Sequence, residues 1–429
     1  MTWRWEMHRF LLRRTAVGAG LLLVVCSACG QTNEPGPAGA TAASRSSIAA
    51  SIARSAAIDP SASHAPAVPV DLLPFREPST AQLPAETRLA LLGVLDRVMT
   101  QARTLGIAGM TAAAVTPDGA WAGATGTDGQ GNGLVPQSMM GIASITKTVV
   151  AAEVLHLADT GLVELDAPAS TYLHHPLLAR GATVRQLLSH TSGVGDDTTN
   201  KGPEEIAAGS PDRTWTPDEV LAFVNEAPSE PGGPVLDYNN FNYLLLRLLI
   251  EQVTGKPLAA SLRADVLGSL GPRIVVQDAE RPPEPLAMPG QRNDGQHRGN
   301  VPSDGVYLPS RAWATAAGGA GCIASDAPTL AAWGYRLYGG YVLPADRVAE
   351  MTTPIAGDYG LGTAVFTGNP GDITPTADLP VGHSGSIPGY SSEMGVDPLR
   401  QISVAVLFAG NADQGVDQVF ANLLAVLQK

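Results

Sequence analysis

Apolar residues recur at helical spacing through "AETRLALLGVLDRVMTQARTLG", Ala85 to Gly106, where the glycine supplies a stop. The period then changes: "GMTAAAVTPDGAWAGATG" holds two short runs around Pro117-Asp118-Gly119 and predicts a β-hairpin. A second helix begins in "GIASITKTVV", Gly141 to Val150, and continues through "AAEVLHLADT" to Gly161. It is apolar almost all round, which predicts burial. Between about Leu165 and Val301 the signals are short helices and Pro-Gly loops. Alternation returns in "YGLGTAVF", "VGHSGSIPGYSSEMGVDP" and "ISVAVLFAGN", which predict neighbouring strands, and the helical "GVDQVFANLLAVLQ" closes the chain. The pattern predicts an α/β (α+β) fold, an antiparallel sheet flanked by helices and interrupted by a mostly helical insertion at about residues 165–301. The cleft between the two parts is the natural site.

The first seventy residues follow a different logic. Arg9, Arg13 and Arg14 precede an apolar run from Ala16 to Val25, and small residues lead into Cys29. This is the layout of a secretory signal, and the run is too short to span a bilayer comfortably. "CSAC" resembles a bacterial lipobox, in which residues 1–28 would be removed and Cys29 lipidated; Arg13-Arg14 also fits twin-arginine export, and a plain secretory signal cut nearby is the alternative. Residues 29–71 are Ala, Ser, Gly and Pro with hardly an aromatic residue, too little apolar surface to offset chain entropy, and they read as a tether. The expected domain is 72–429, exported and held at the outer face of the membrane by a lipid or else secreted.

The 429 residues are 44% apolar, enough for a sizeable core, and their net charge of −13 offers a nucleic-acid backbone no basic surface. Eight scattered histidines and three cysteines show no metal-ligand spacing, so neither metal nor cofactor is expected. Past Cys29 only Cys322 remains, which excludes an internal disulfide in the exported part. No protein partner is implied.

The candidate chemistry lies in the second helix. Only four of the 27 basic residues are lysines, Lys147 among them, so a lysine in an apolar helix asks for a reason other than charge. Positions i and i+3 share a helix face, and Ser144 and Lys147 can therefore bring a hydroxyl and an amine together. A helix N-terminus also offers free N–H groups to a developing oxyanion. Arginine cannot lose a proton near neutrality, whereas a desolvated lysine can. By itself Ser-x-x-Lys is common, and a capping serine beside a solvated lysine is the bland alternative.

Three elements in order narrow the choice. Ser144-Ile145-Thr146-Lys147, Tyr238-Asn239-Asn240 and His383-Ser384-Gly385 make the chain, from about Leu83 onward, resemble the serine β-lactamase and penicillin-binding-protein superfamily, in its class C β-lactamase, D,D-peptidase and esterase branch. "GLVELDAPASTYL", "TVRQLLSHTSGV" and "AAGGAGCIASDAPTLAAW" support the resemblance. It implies a β-lactamase-like fold and an acyl-enzyme on Ser144, with Lys147 as its proton partner and Tyr238 as base for attack and acid for the leaving group. Whether Tyr238 or Lys147 takes the serine proton stays open. Asn240 would hold the substrate amide or orient Lys147, the N–H groups of Ser144 and Ser386 would form the oxyanion hole, and Ser384 and Gly385 would line the substrate.

The implied substrate is a small molecule or a peptidoglycan peptide: a β-lactam or D-Ala-D-Ala amide, with a neutral ester as alternative, and a silent wall-binding member of the family as the non-enzymatic one. His383 departs from the lysine that many members carry. Between Arg347 and Arg400 no lysine or arginine occurs, so a cation for a substrate carboxylate must come from elsewhere, for example Arg292 or Arg298. His383 itself is expected to line the cleft and to charge near its ordinary pKa of about 6.5.

Overall fold

The computed structural model describes residues 65–102, 107–232, 235–284, 286–293, 298–366, 379–411 and 415–429. The signal segment, Cys29 and residues 30–64 lie outside them, whereas the end of the expected tether belongs to the domain: Ala67 and Val68 are fully buried in the core, and their N–H groups donate to Thr352 O and Oγ1, both at 3.2 Å. In chain order the chain forms helix α1 (Ala85–Ala102), the hairpin β1 (Gly109–Val115) and β2 (Ala120–Gly126), strand β3 (Met140–Gly141) and helix α2 (Thr146–Asp159). Helices α3 (Val184–Leu188), α4 (Lys201–Ala208), α5 (Pro217–Leu221), α6 (Phe241–Thr254) and α7 (Leu258–Leu262) make the central part. Then come β4 (Ile274–Val276), β5 (Arg292–Asn293), β6 (Arg298–Gly299), α8 (Arg311–Ala317), β7 (Ile323–Ser325), α9 (Ala327–Tyr338) and α10 (Ala345–Thr352). Strands β8 (Ala364–Val365), β9 (Val381–Ile387), β10 (Tyr390–Asp397), β11 (Ile402–Ala409) and helix α11 (Val416–Leu427) complete it.

Six strands form one sheet in the order β2-β1-β11-β10-β9-β8, antiparallel throughout, so the first hairpin and the last three strands meet although some 280 residues separate them. Strand β11 shows why the sequence folds this way. Its residues are buried on both faces, and the period of two sends Ile402, Val404, Val406 and Phe408 to a core shared with α1 and α11, while Ala405, Leu407 and Ala409 join the larger core beneath α9. The helical part is buried against that second face.

The insertion is helical from α3 to α7 but not to its expected end. Strand β4 pairs with β7, which also pairs with β3, and β5 pairs with β6. Three-residue runs such as "IVV" are too short for periodicity to distinguish strand from helix. The small sheet has a use, because β3 leads directly into the Ser144 turn. Cys322 is buried and free. Among the described residues no helix is long and apolar enough to cross a membrane.

Candidate active site

Ser144 sits in a 3-10 turn, Ala143–Ile145, that runs straight into α2. Ala143 has φ of 47°, a left-handed value that alanine adopts only where neighbours impose it. They do so here: Ile142 N donates to Ile323 O at 3.0 Å, Ile323 N donates to Thr146 Oγ1 at 3.2 Å, and Ser392 Oγ donates to Ile142 O at 3.0 Å. The turn is thus tied to β7 on one side and β10 on the other. Ser144 remains partly exposed.

Lys147, one turn on, is fully buried by the apolar surface of α2. Its Nζ lies 2.9 Å from Ser144 Oγ, 2.8 Å from Asn240 Oδ1 and 2.8 Å from Ala320 O. Burial holds its pKa well below the usual lysine range. A neutral amine has two N–H groups and one lone pair; two of its three partners are pure acceptors, and the third is a hydroxyl that can donate. In that neutral form, with its N–H groups on Asn240 and Ala320, the amine would turn its lone pair to the serine proton. Asn240, at the N-terminus of α6, accepts from Lys147 Nζ, the contact that an orienting role needs.

Ala320 is a member of the site that the sequence did not disclose. Its carbonyl reaches Lys147 because Gly318 and Gly319 let the chain lie on α6, where a Cβ would come within 2.8 Å of Leu244 Cδ2 and 2.5 Å of Tyr243 O respectively. The Gly-Gly pair in "AAGGAG" was the available signal. Tyr238 is buried next to this centre, with Lys147 Nζ 5.0 Å from its ring centroid.

Strand β9 brings the third element. Residues His383, Gly385 and Ile387 alternate onto its buried face, and Ser384 and Ser386 onto the half-exposed one. A Cβ on Gly385 would stand 2.2 Å from Ile142 O and 2.5 Å from Ser392 Oγ, so only glycine lets β9 lie against the Ser144 turn. Strand β8 covers β9 only at Val381 and Gly382. From His383 onward the outer edge has no ladder partner among the described residues, which leaves Ser386 and its N–H on the edge nearest Ser144.

His383 differs from expectation. It is fully buried; Nδ1 donates to Ser384 O at 2.6 Å, and Nε2 accepts from Tyr359 Oη at 3.0 Å. Burial first, and the nearby Lys147 second, push its pKa down to about 3. It neither lines the open cleft nor charges near 6.5, because the strand period turns it inward and both nitrogens are used. Tyr359, its partner, lies in a short-strand region whose pattern carries no mark of the role. The side chains of Arg292 and Arg298 lie outside what the structure describes. No group of three or more His, Cys, Asp or Glu side chains among the described residues could hold a metal ion.

A turn-mounted serine, a buried lysine hydrogen-bonded to it, a tyrosine in the segment that leads into α6, an asparagine at that helix's N-terminus and an open strand edge are the parts that the three motifs imply. A family model described as Beta-lactamase matches residues 94–428. The chain belongs to the beta-lactamase family. Esterase EstB of Burkholderia gladioli is 33% identical over 197 residues, 42% of this chain and 48% of the esterase. A putative penicillin-binding protein, PbpX of Bacillus subtilis, is 26% identical over 136 residues, 32% of each chain. The chain thus matches half or less of the length of these curated relatives. Among solved structures, D-amino acid amidase from Ochrobactrum anthropi SV3 superposes with a TM-score of 0.66 at 23% identity, covering 80% of this chain and 99% of the amidase. A D-stereospecific amidohydrolase from Streptomyces gives 0.62 at 26% identity, covering 78% and 97%.

Proposed function

We propose that this chain is an exported serine hydrolase that opens amide or ester bonds through an acyl-enzyme on Ser144. The observation that carries the reading is the three-way environment of Lys147. With its N–H groups on Asn240 and Ala320, the amine takes the Ser144 proton as Oγ attacks the carbonyl carbon, and the N–H groups of Ser144 and Ser386 meet the resulting oxyanion. In this reading Tyr238 returns a proton to the leaving group, after which water releases the acyl group by the reverse relay. The likeness to the esterase and to the Streptomyces D-stereospecific amidohydrolase supports this chemistry, and the neutral His383 favours substrates without a carboxylate, a neutral ester or amide, over β-lactams and D-Ala-D-Ala peptides.

Intact-protein mass after mixing with a p-nitrophenyl ester and, separately, with a penicillin tests the reading. The ester should give a transient adduct at Ser144 and turnover, both lost in Ser144→Ala. Protein that forms no adduct and turns over neither compound would be a silent binding member of the fold. Export rests on the basic residues and the apolar run from Ala16 to Val25, and anchoring on "CSAC". Cys29→Ser should leave the membrane fraction; recovery there at unchanged processed mass would refute lipidation.

A further inference from the structure

The loop after α3, His190 to Gly195, lies against the segment that carries Tyr238 and Asn240. His190 is fully buried and has φ of 57°, left-handed for a residue that is not glycine. Its backbone carbonyl accepts from Asp237 N at 3.0 Å, and its ring Nδ1 accepts from Asn239 N at 3.2 Å. One residue therefore grips the chain immediately before and immediately after Tyr238. The imidazole also lies against the Tyr238 ring, with centroids 4.2 Å apart and planes at 38°. Lys147 Nζ is 5.0 Å from the same ring.

The rest of the loop completes the cradle. Asn239 Nδ2 donates to the carbonyls of Val194 and Gly195, both at 3.0 Å, and Ser192 Oγ donates to Asn242 Oδ1 at 2.6 Å. That last bond fixes the Asn242 amide so that its Nδ2 points at His190 Nδ1, 3.2 Å away. Two donors then converge on Nδ1, which must be unprotonated, and the ring proton resides on Nε2. Nε2 is buried with no hydrogen-bond partner among the described residues, and the imidazole ring lies beside those of Tyr243 and Tyr359, centroid to centroid 5.3 and 5.1 Å. A buried polar atom left so calls for an explanation, and the contacts made by the rest of the side chain offer one.

From this geometry we infer that His190 is a positioning residue: through its Nδ1 acceptor it sets the orientation of Tyr238 beside Lys147. The inference rests on the acyl-enzyme reading above. It assigns His190 no contact with substrate. Displacing a proton-transfer group by about 1 Å costs about a hundredfold in rate.

The test compares two substitutions. His190→Phe keeps the ring and removes the acceptor. His190→Asn keeps an acceptor at the same distance from Cα and tolerates the left-handed backbone, but removes the ring. Expected are a loss of about a hundredfold in kcat at near-constant KM for His190→Phe and less than tenfold for His190→Asn. In a Tyr238→Phe background His190→Phe should cost less than threefold more, because its effect passes through the tyrosine. Equal losses for the two variants, or an undiminished loss in the Tyr238→Phe background, would overturn the inference. Where His190→Phe does not fold, the same cycle with His190→Asn and His190→Ala decides.

Hydrogen exchange of the Asn239 amide in Ser144→Ala protein reads the clamp without turnover. It should accelerate at least tenfold with His190→Phe and less than threefold with His190→Asn. Unchanged exchange with His190→Phe would refute the clamp even if no substrate were ever found, whereas a tight clamp in a protein that never acylates would refute only the hydrolase.

Discussion

A lysine amine removed from water can aim its lone pair at a hydroxyl only if its two N–H groups have acceptors elsewhere, and Asn240 Oδ1 and Ala320 O are those acceptors. Arginine at the same place would keep the charge, offer no lone pair and bring a larger head into a closed space. Lys147→Arg is therefore expected to lose about a thousandfold in kcat/KM, the range of a general-base contribution, with about 1–3 kcal/mol of stability lost to overpacking. Turnover near the wild-type level would show that charge alone suffices. At His383 the sign of the shift decides another outcome. A pKa pushed down to about 3 leaves the imidazole neutral at every pH above about 4, so the ratio of kcat/KM for a neutral ester to that for an anionic peptide should vary less than threefold between pH 5.5 and 8. A tenfold swing toward the anionic peptide near pH 6 would show that His383 takes up a proton there.

Among elements, β9 and the Ser144 turn must touch, because the oxyanion donors proposed above come one from each. Gly385 is what allows it, with Ile142 O and Ser392 Oγ occupying the space a side chain would need. Gly385→Ala forces the strand or the turn to move by most of an ångström. The expected result is a loss of about a hundredfold in kcat/KM, larger in proportion than the fall in thermal midpoint. Activity within threefold of wild type would mean that the two elements need not meet so closely. Helix α2 supplies a second case: its 3-10 lead-in is held by β7 and β10, so the place of Ser144 depends on strands much later in the chain.

On the scale of the whole molecule, Glu153 of α2 is buried and hydrogen-bonded by Ser261 of α7, joining the core helix to the helical insertion. Burial raises its pKa from 4.5 to about 7, with the Asp265 carboxyl adding to the shift. Below pH 4.5 the group is neutral folded or unfolded, and no penalty arises. As pH rises toward 7 the unfolded chain ionises while the folded one resists, so stability is lost across that window, up to about 3 kcal/mol. Glu153→Gln, which still accepts from Ser261, should raise the thermal midpoint at pH 8 and leave it unchanged near pH 4. An equal gain at both pH values would assign the effect to packing rather than to ionisation.

Periodicity alone determined the first hairpin, the buried helix after Ser144, the last three strands and the closing helix, because each is long enough for its hydrophobic spacing to be read locally. The order of three short motifs was enough to single out Ser144, Lys147, Tyr238, Asn240 and His383 as residues that meet in one place. Only the tertiary structure decided which way His383 faces, that Ala320 and Tyr359 join the site, that His190 grips the chain on both sides of Tyr238, and that β4 leaves the helical part to pair with β7. Each of those depends on a carbonyl, a ring or a three-residue strand meeting a partner remote in the chain. Such meetings leave no period in the sequence, since a backbone carbonyl is the same whatever residue carries it and a short strand pairs wherever an edge is offered.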